Sequence, residues 1–193
     1  MDMYSLKNMF HDLKCDFKRY CEFDGIGDKI SSFDKIKILL KSPGFFAIIV
    51  FRFGFWINSH YKDKKSPAKY LLKFIYYLGR YLSVILLKIL ISKSSVIGPG
   101  LYLSNKGHII MGVRKMGKGC TIHNNITIGM GKEKICPEVG DNVIIESDSI
   151  IYGQITIGSG TQIMGGSVLS KSVPERCIVK GNPARLIKRN VTT

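Results

Sequence analysis

Apolar residues recur at every sixth position through the C-terminal half of the chain. Val139, Ile145, Ile151, Ile157, Ile163 and Leu169 follow one another at that interval without a gap. Glycine comes next at Gly140 and Gly158, and a small or branched residue stands two places earlier at Val143, Ser149, Ile155, Thr161 and Ser167. A helix needs apolar spacings of three and four, and a lone strand alternates by two over a shorter run. A sustained period of six predicts a parallel β-helix, in which each hexapeptide is one short strand with its aliphatic side chain turned into the coil. Stacked coils then bury a continuous ladder. Ile110, Met116, Ile122 and Ile128 extend the ladder upstream, and Ile97, Leu103 and Ile109 form a third run offset by one residue. Ile128 and Val139 are eleven apart, so residues 129–138 are expected to leave a coil corner as a loop.

Upstream the period is helical. Leu6, Met9, Phe10, Leu13, Phe17 and Tyr20 predict a helix over 5–23 with Ser5 as its N-cap. Ile36, Leu39 and Leu40 suggest a short helix over 33–41. Ser42-Pro43 opens a third, GFFAIIVFRFGFWI, in which Arg52 is the only charge. Residues 58–68 are a polar connection. The longest helix is expected over 69–91, with Lys69, Lys73, Arg80 and Lys88 confined to an arc of about 100°. Such a helix either packs against other subunits, the favoured reading, or lies in a membrane interface with its basic stripe towards the headgroups. The helical period stops at Ser92–Ser95. The chain therefore divides into an α-helical N-terminal domain, residues 1–92, and a β-helix domain, residues 93–193. The tail of the second is expected to leave the coil at Pro174. The fold class is mainly β.

Composition narrows the partners. The chain has 193 residues, is 45% apolar and carries a net charge of +15, spread evenly over both halves. No dense basic tract or nucleic-acid motif is present, so the charge points to an anionic membrane surface, an anionic polymer or a polyphosphate cofactor. Cys15, Cys21, Cys120, Cys136 and Cys177 form no CxxC pair and no zinc spacing, which predicts reduced thiols, a cytoplasmic setting and no metal. The N-terminal MDMYSLKNMFHDLK lacks the apolar core of a signal peptide.

The ending GSVLSKSVPERCIVKGNPARLIKR, closing a run of hexapeptides, resembles the left-handed β-helix acyltransferases. GFFAIIVFRFGFWI, then a long helix, then VIGPGLYL, is similar in order to serine O-acetyltransferases and to relatives that acetylate surface polysaccharides. The resemblance implies a homotrimer, or a hexamer made by doubling it through the helices. Acetyl-CoA would lie between neighbouring prisms, and a histidine would act as general base on an acceptor hydroxyl. An alcohol is a poor nucleophile at neutral pH unless its proton is taken during attack, and imidazole has a suitable pKa. Backbone N–H groups at a coil turn suit the developing oxyanion.

In serine acetyltransferases the catalytic histidine follows a G-L-x-[LI]-Asp pattern. Here GLYL is followed by Ser104 and Asn105, so Asn105 stands where the histidine is expected. A helper aspartate falls near Leu90, and a substrate-loop histidine falls at Cys136. These departures speak against free serine, and the expected acceptor is a sugar hydroxyl of a capsular or other surface polysaccharide, handled at the inner face of the membrane. Serine itself and a non-catalytic trimeric scaffold are the alternatives. His108, at the step between two ladders, is the first candidate base, and His123 in TIHNNITIG the second. Glu133, Glu138 and Asp148 are candidates to orient it. For acetyl-CoA the resemblance points to Ser147 and Ser149, then Gly165, Gly166 and Ser167, with Lys171, Lys180 and Arg185 available to its phosphates.

Overall fold

The computed structural model describes residues 4–23, 42–61 and 67–189. Three helices precede the β-structure: α1 (Leu6–Phe23), α2 (Pro43–His60) and α3 (Pro67–Ile85). The helix expected over 33–41 lies outside the described residues. Ser5 caps α1 as expected, its Oγ accepting the Asn8 N–H at 3.2 Å. Pro43 opens α2, but the Ser42 side chain makes no capping bond.

α2 is apolar nearly all round because it is covered on several sides. α1, α3 and the start of the β-structure all pack on it. Two glycines permit the closest approaches. A Cβ on Gly54 would enter the Tyr76 ring of α3, and one on Gly44 would enter the Leu103 carbonyl and the Tyr20 hydroxyl. The one charge of α2 is fully enclosed. Arg52 donates to both carboxylate oxygens of Asp16 at 3.0 and 3.2 Å, and to the carbonyls of Ile97 and Gly98 at 2.6 and 2.7 Å. Asp16 also accepts the Leu101 N–H at 2.8 Å. This pair fastens α1 and α2 to the first turn of the β-structure.

The remainder is a solenoid of about five turns with three parallel faces. On the first face stack β1 (Ile89–Ile91), β4 (Ile109–Met111), β7 (Ile126–Gly129), β10 (Ile150–Tyr152) and β13 (Val168–Leu169). On the second stack β2 (Val96–Ile97), β5 (Lys115–Met116), β8 (Glu138–Val139) and β11 (Thr156–Ile157). On the third stack β3 (Tyr102–Leu103), β6 (Thr121–Ile122), β9 (Ile144–Ile145), β12 (Gln162–Ile163) and β14 (Cys177–Lys180), with β15 (Arg185–Arg189) added antiparallel at the end. The ladder from Val139 to Leu169 is buried throughout, as are Val143, Ser149, Ile155, Thr161 and Ser167 beside it. Residues 130–137 form the expected loop between β7 and β8.

Three expectations change. Ile110 is not in the ladder: it is exposed, and Met111 takes the inward place beside Ile109. The interval from Leu103 to Met111 is therefore eight and that from Met111 to Met116 five, so the step in register is a two-residue excess followed by a one-residue deficit. The helix expected over 69–91 ends at Ile85, because Lys88 adopts φ +59° and Ile89–Ile91 pair with β4. The coil does not end at Pro174: Val173 bridges Ile157, and β14 still pairs with β12.

Candidate active site

The chain turns from the third face to the first at one corner, and the residues of interest gather there. On the regular turns the corner is tight. Asn125, Asp148 and Gly166 occupy it in left-handed conformation, with φ of +56°, +63° and +70°. Asn, Asp and Gly tolerate that region best. The two extra residues between Leu103 and Met111 fall at this same corner one turn earlier. They push Lys106, Gly107 and His108 outward, and all three are exposed.

His108 consequently lines an open cavity of about 360 Å³ together with Lys88, Asn105, Gly107 and Asn125, against an apolar wall of Pro43, Leu86 and Leu87. The polar groups are fixed by one another. Asn125 Oδ1 accepts the His108 backbone N–H at 3.1 Å, while its Nδ2 donates to Asp148 Oδ1 at 2.9 Å. Asn105 Oδ1 accepts the Gly44 N–H at 3.3 Å, which places the start of α2 on the cavity wall. Gly107 has φ +78°, and a Cβ there would meet Asn125 Oδ1 at 2.6 Å, so glycine is required. Among the described residues the wall carries no carboxylate, and Lys88 and His108 are its ionisable groups.

His123 sits on the next turn, half-buried, with its backbone N–H on the Ile145 carbonyl at 2.9 Å. The strand register stacks it over Ser104, off the cavity wall. Among the described residues neither His108 nor His123 has a carboxylate partner on its ring. The Asp148 side chain accepts from Asn125, and Glu138 is paired with Arg114.

The cofactor candidates stand on the same corner on later turns. Ser149 and Ser167 are fully buried, and their hydroxyls donate to the carbonyls of Glu146 at 2.8 Å and Met164 at 2.5 Å. Those side chains close the coil, and what they leave to a ligand is backbone. The Ser147 carbonyl accepts the Gly166 N–H at 2.9 Å, and the Gly165 N–H is held by Glu146 at 3.0 Å. Gly166 is exposed with open space beside it. Lys171 and Arg185 come together on a second cavity of about 210 Å³ with Ser170, Pro183 and Ala184. Lys180 lies opposite Arg185 in the β14–β15 pairing. No group of His, Cys, Asp and Glu among the described residues could hold a metal ion. Sequence reasoning named Lys88 only in the basic stripe of the long helix, and did not single out Asn125. The Asn124-Asn125 dipeptide before an apolar strand was the signal available for the second.

Comparison with known proteins adds the class. The Bacterial transferase hexapeptide (six repeats) family matches residues 137–171. Repeat, solenoid and relatives together fit the left-handed β-helix acyltransferase superfamily, and the relatives indicate an O-acetyltransferase. Within it the chain is similar to serine acetyltransferases. It is 29% identical to that of Synechococcus elongatus over 94% of this chain and 70% of the relative. It is 42% identical to the mitochondrial serine acetyltransferase 3 of Arabidopsis thaliana, over 47% of this chain and only 24% of that relative. The Neisseria gonorrhoeae serine acetyltransferase in complex with serine superposes with a TM-score of 0.74 at 25% identity, covering 96% of this chain and 72% of that one. The Brucella abortus serine acetyltransferase in complex with coenzyme A shares the fold, with a TM-score of 0.76 at 23% identity over 97% and 71%. These findings overturn the expected polysaccharide acceptor, since both the relatives and the solved neighbours are serine acetyltransferases. The Ser104-Asn105 departure changes the residues of the corner and does not point to a sugar.

Proposed function

We propose that the protein transfers the acetyl group of acetyl-CoA to the hydroxyl of serine, with His108 as the general base. The observation that carries the reading is the relationship to serine acetyltransferases along nearly the whole chain, helices included. His108 is preferred over His123 because it lines the 360 Å³ cavity and His123 does not. In the reaction the imidazole takes the serine hydroxyl proton as the oxygen attacks the thioester carbonyl. The C–S bond then breaks, and the protonated imidazole returns the proton to the departing thiolate. A neutral amide does not take a proton at neutral pH, so Asn105 positions rather than reacts. Asn125, braced by Asp148, holds the His108 backbone. Acetyl-CoA would run from this corner over Gly165 and Gly166, with its phosphates towards Lys171 and Arg185. Its use would place the protein in the cytoplasm.

A homotrimer is part of this reading. Ile110, Thr127 and Ile150 are in register on the outward side of the first face, between Leu90 and Val168, and they make an apolar stripe suited to packing on a second copy.

The test is thiol release from acetyl-CoA with L-serine, with a polysaccharide and with no acceptor. Release with serine alone is expected. Release with the polysaccharide alone would overturn the acceptor, and failure to bind acetyl-CoA at all would favour a scaffold without chemistry.

A further inference from the structure

Helix α3 carries its apolar surface outward. Tyr76 and Ser83 are its buried residues, and they face α2 and the first turn of the solenoid. On the far side Tyr70, Leu71, Phe74, Tyr77, Leu78 and Tyr81 are all more than half exposed. Lys69, Lys73 and Arg80, in contrast, are partly buried, and Arg80 spends a donor on the Ile91 carbonyl at 3.0 Å. The basic stripe therefore does not form the outer face.

At about 100° per residue the helix has an order around its circumference. Next to the buried seam lie Lys69, Lys73 and Arg80. Beside them runs a row of three tyrosines, Tyr70, Tyr77 and Tyr81. Beyond these come Phe74, Leu78 and Leu71. A graded band of cations, then amphipathic phenols, then hydrocarbon matches the profile of a lipid headgroup region. Residues 67–88 contain no Asp or Glu. A second copy laid on this face would bring no carboxylate of α3 to Lys73, whereas anionic headgroups supply that charge. No helix among the described residues is long and apolar enough to cross a membrane, so the contact is one made in the plane of the interface.

We infer that α3 docks the protein on an anionic lipid surface, with Phe74 and Leu78 at the acyl boundary, the tyrosines among the headgroups and Lys69 and Lys73 against lipid phosphates. This goes beyond the acetyl-transfer reading and does not depend on it.

Co-sedimentation of the full chain with vesicles tests the inference. One set is phosphatidylcholine alone and the other phosphatidylcholine with phosphatidylserine. Binding to the mixed vesicles is expected to exceed binding to the neutral ones. The Phe74→Glu/Leu78→Glu double variant should bind more than about tenfold more weakly. Lys69→Gln/Lys73→Gln should lose about fivefold per lysine and most of the salt dependence. Circular dichroism establishes that both variants are folded. No binding by the parent protein overturns the inference. So does equal binding to both vesicle types, or binding unchanged in Phe74→Glu/Leu78→Glu. Light scattering then separates the rival occupant: a parent that ignores vesicles but loses mass in Phe74→Glu/Leu78→Glu has a second copy on this face.

Discussion

Replacing Arg52 by Met keeps the bulk of an apolar stem and removes the guanidinium. Arg52 is 2% exposed and Asp16 fully buried. The substitution strands a buried carboxylate and orphans the carbonyls of Ile97 and Gly98. Removing one partner of a buried ion pair costs about 3–5 kcal/mol. The two carbonyls belong to that same loss rather than adding to it. For a chain of this size 1 kcal/mol lowers Tm by about 2–4 °C, so a fall of about 6–20 °C is expected. The loss also depends on pH. Burial is the largest influence on Asp16 and pushes its carboxyl up, with Arg52 pulling against it. Without Arg52 the folded-state pKa climbs further above the unfolded value. A carboxyl so raised is protonated more readily in the folded state, so stability increases as pH falls through the folded pKa. The deficit of Arg52→Met should accordingly narrow from pH 7 towards pH 5. Urea and thermal unfolding followed by circular dichroism at both pH values would measure it. Arg52→Met/Asp16→Leu, which removes the stranded charge, should recover about 2 kcal/mol at pH 7. A loss below about 1 kcal/mol, or a deficit that widens in acid, would refute the reasoning.

Other outcomes follow from the site and the core. His108→Ala should lower turnover by about 10²–10⁴ with acetyl-CoA binding retained, while His123→Ala changes it only a few-fold; the reverse in steady-state kinetics would make His123 the base. Lys171→Gln/Arg185→Gln should raise the KM for acetyl-CoA about tenfold and leave kcat alone, since the phosphates take no part in the chemistry. Burial pushes the Cys120 thiol up to about 11, so in the native protein at pH 8 an aromatic disulfide should modify half-exposed Cys15 and Cys136 quickly and Cys120 only on unfolding. Gly44→Ala drives a methyl into the Leu103 carbonyl and should destabilise by about 1–3 kcal/mol, with loss of activity because the start of α2 leaves Asn105.

Where the period of six is regular, from Val139 to Leu169, the inward residues can be assigned without a structure, and each proves buried. Where it is irregular the assignment fails by one residue. Ile110 and Met111 both suit the interior, and only the pairing of β4 with β1 and β7 chooses Met111. The acceptor was misjudged for a related reason. Ser104 and Asn105 stand where the family has Asp and His, yet the similarity to a serine acetyltransferase runs along nearly the whole chain. The long basic helix was anticipated too far, to Ile91, because Ile89 and Ile91 satisfy a helical stripe and a solenoid strand equally well.

The hexapeptide repeat is a local rule. Each coil repeats the demands of the one before it, so a linear pattern of Ile, Val and Leu is enough to specify the solenoid and its buried ladder. The corner that carries His108 obeys no such rule. It is made by contacts across long separations: Asn105 with Gly44, 61 residues away, and His108 with Asn125, 17 away. Asn125 reaches Asp148 across 23 residues. No periodicity encodes which of these side chains meet. That is decided when a lone arginine in an apolar helix finds a buried carboxylate, and two surplus residues at a turn have nowhere to go but outward.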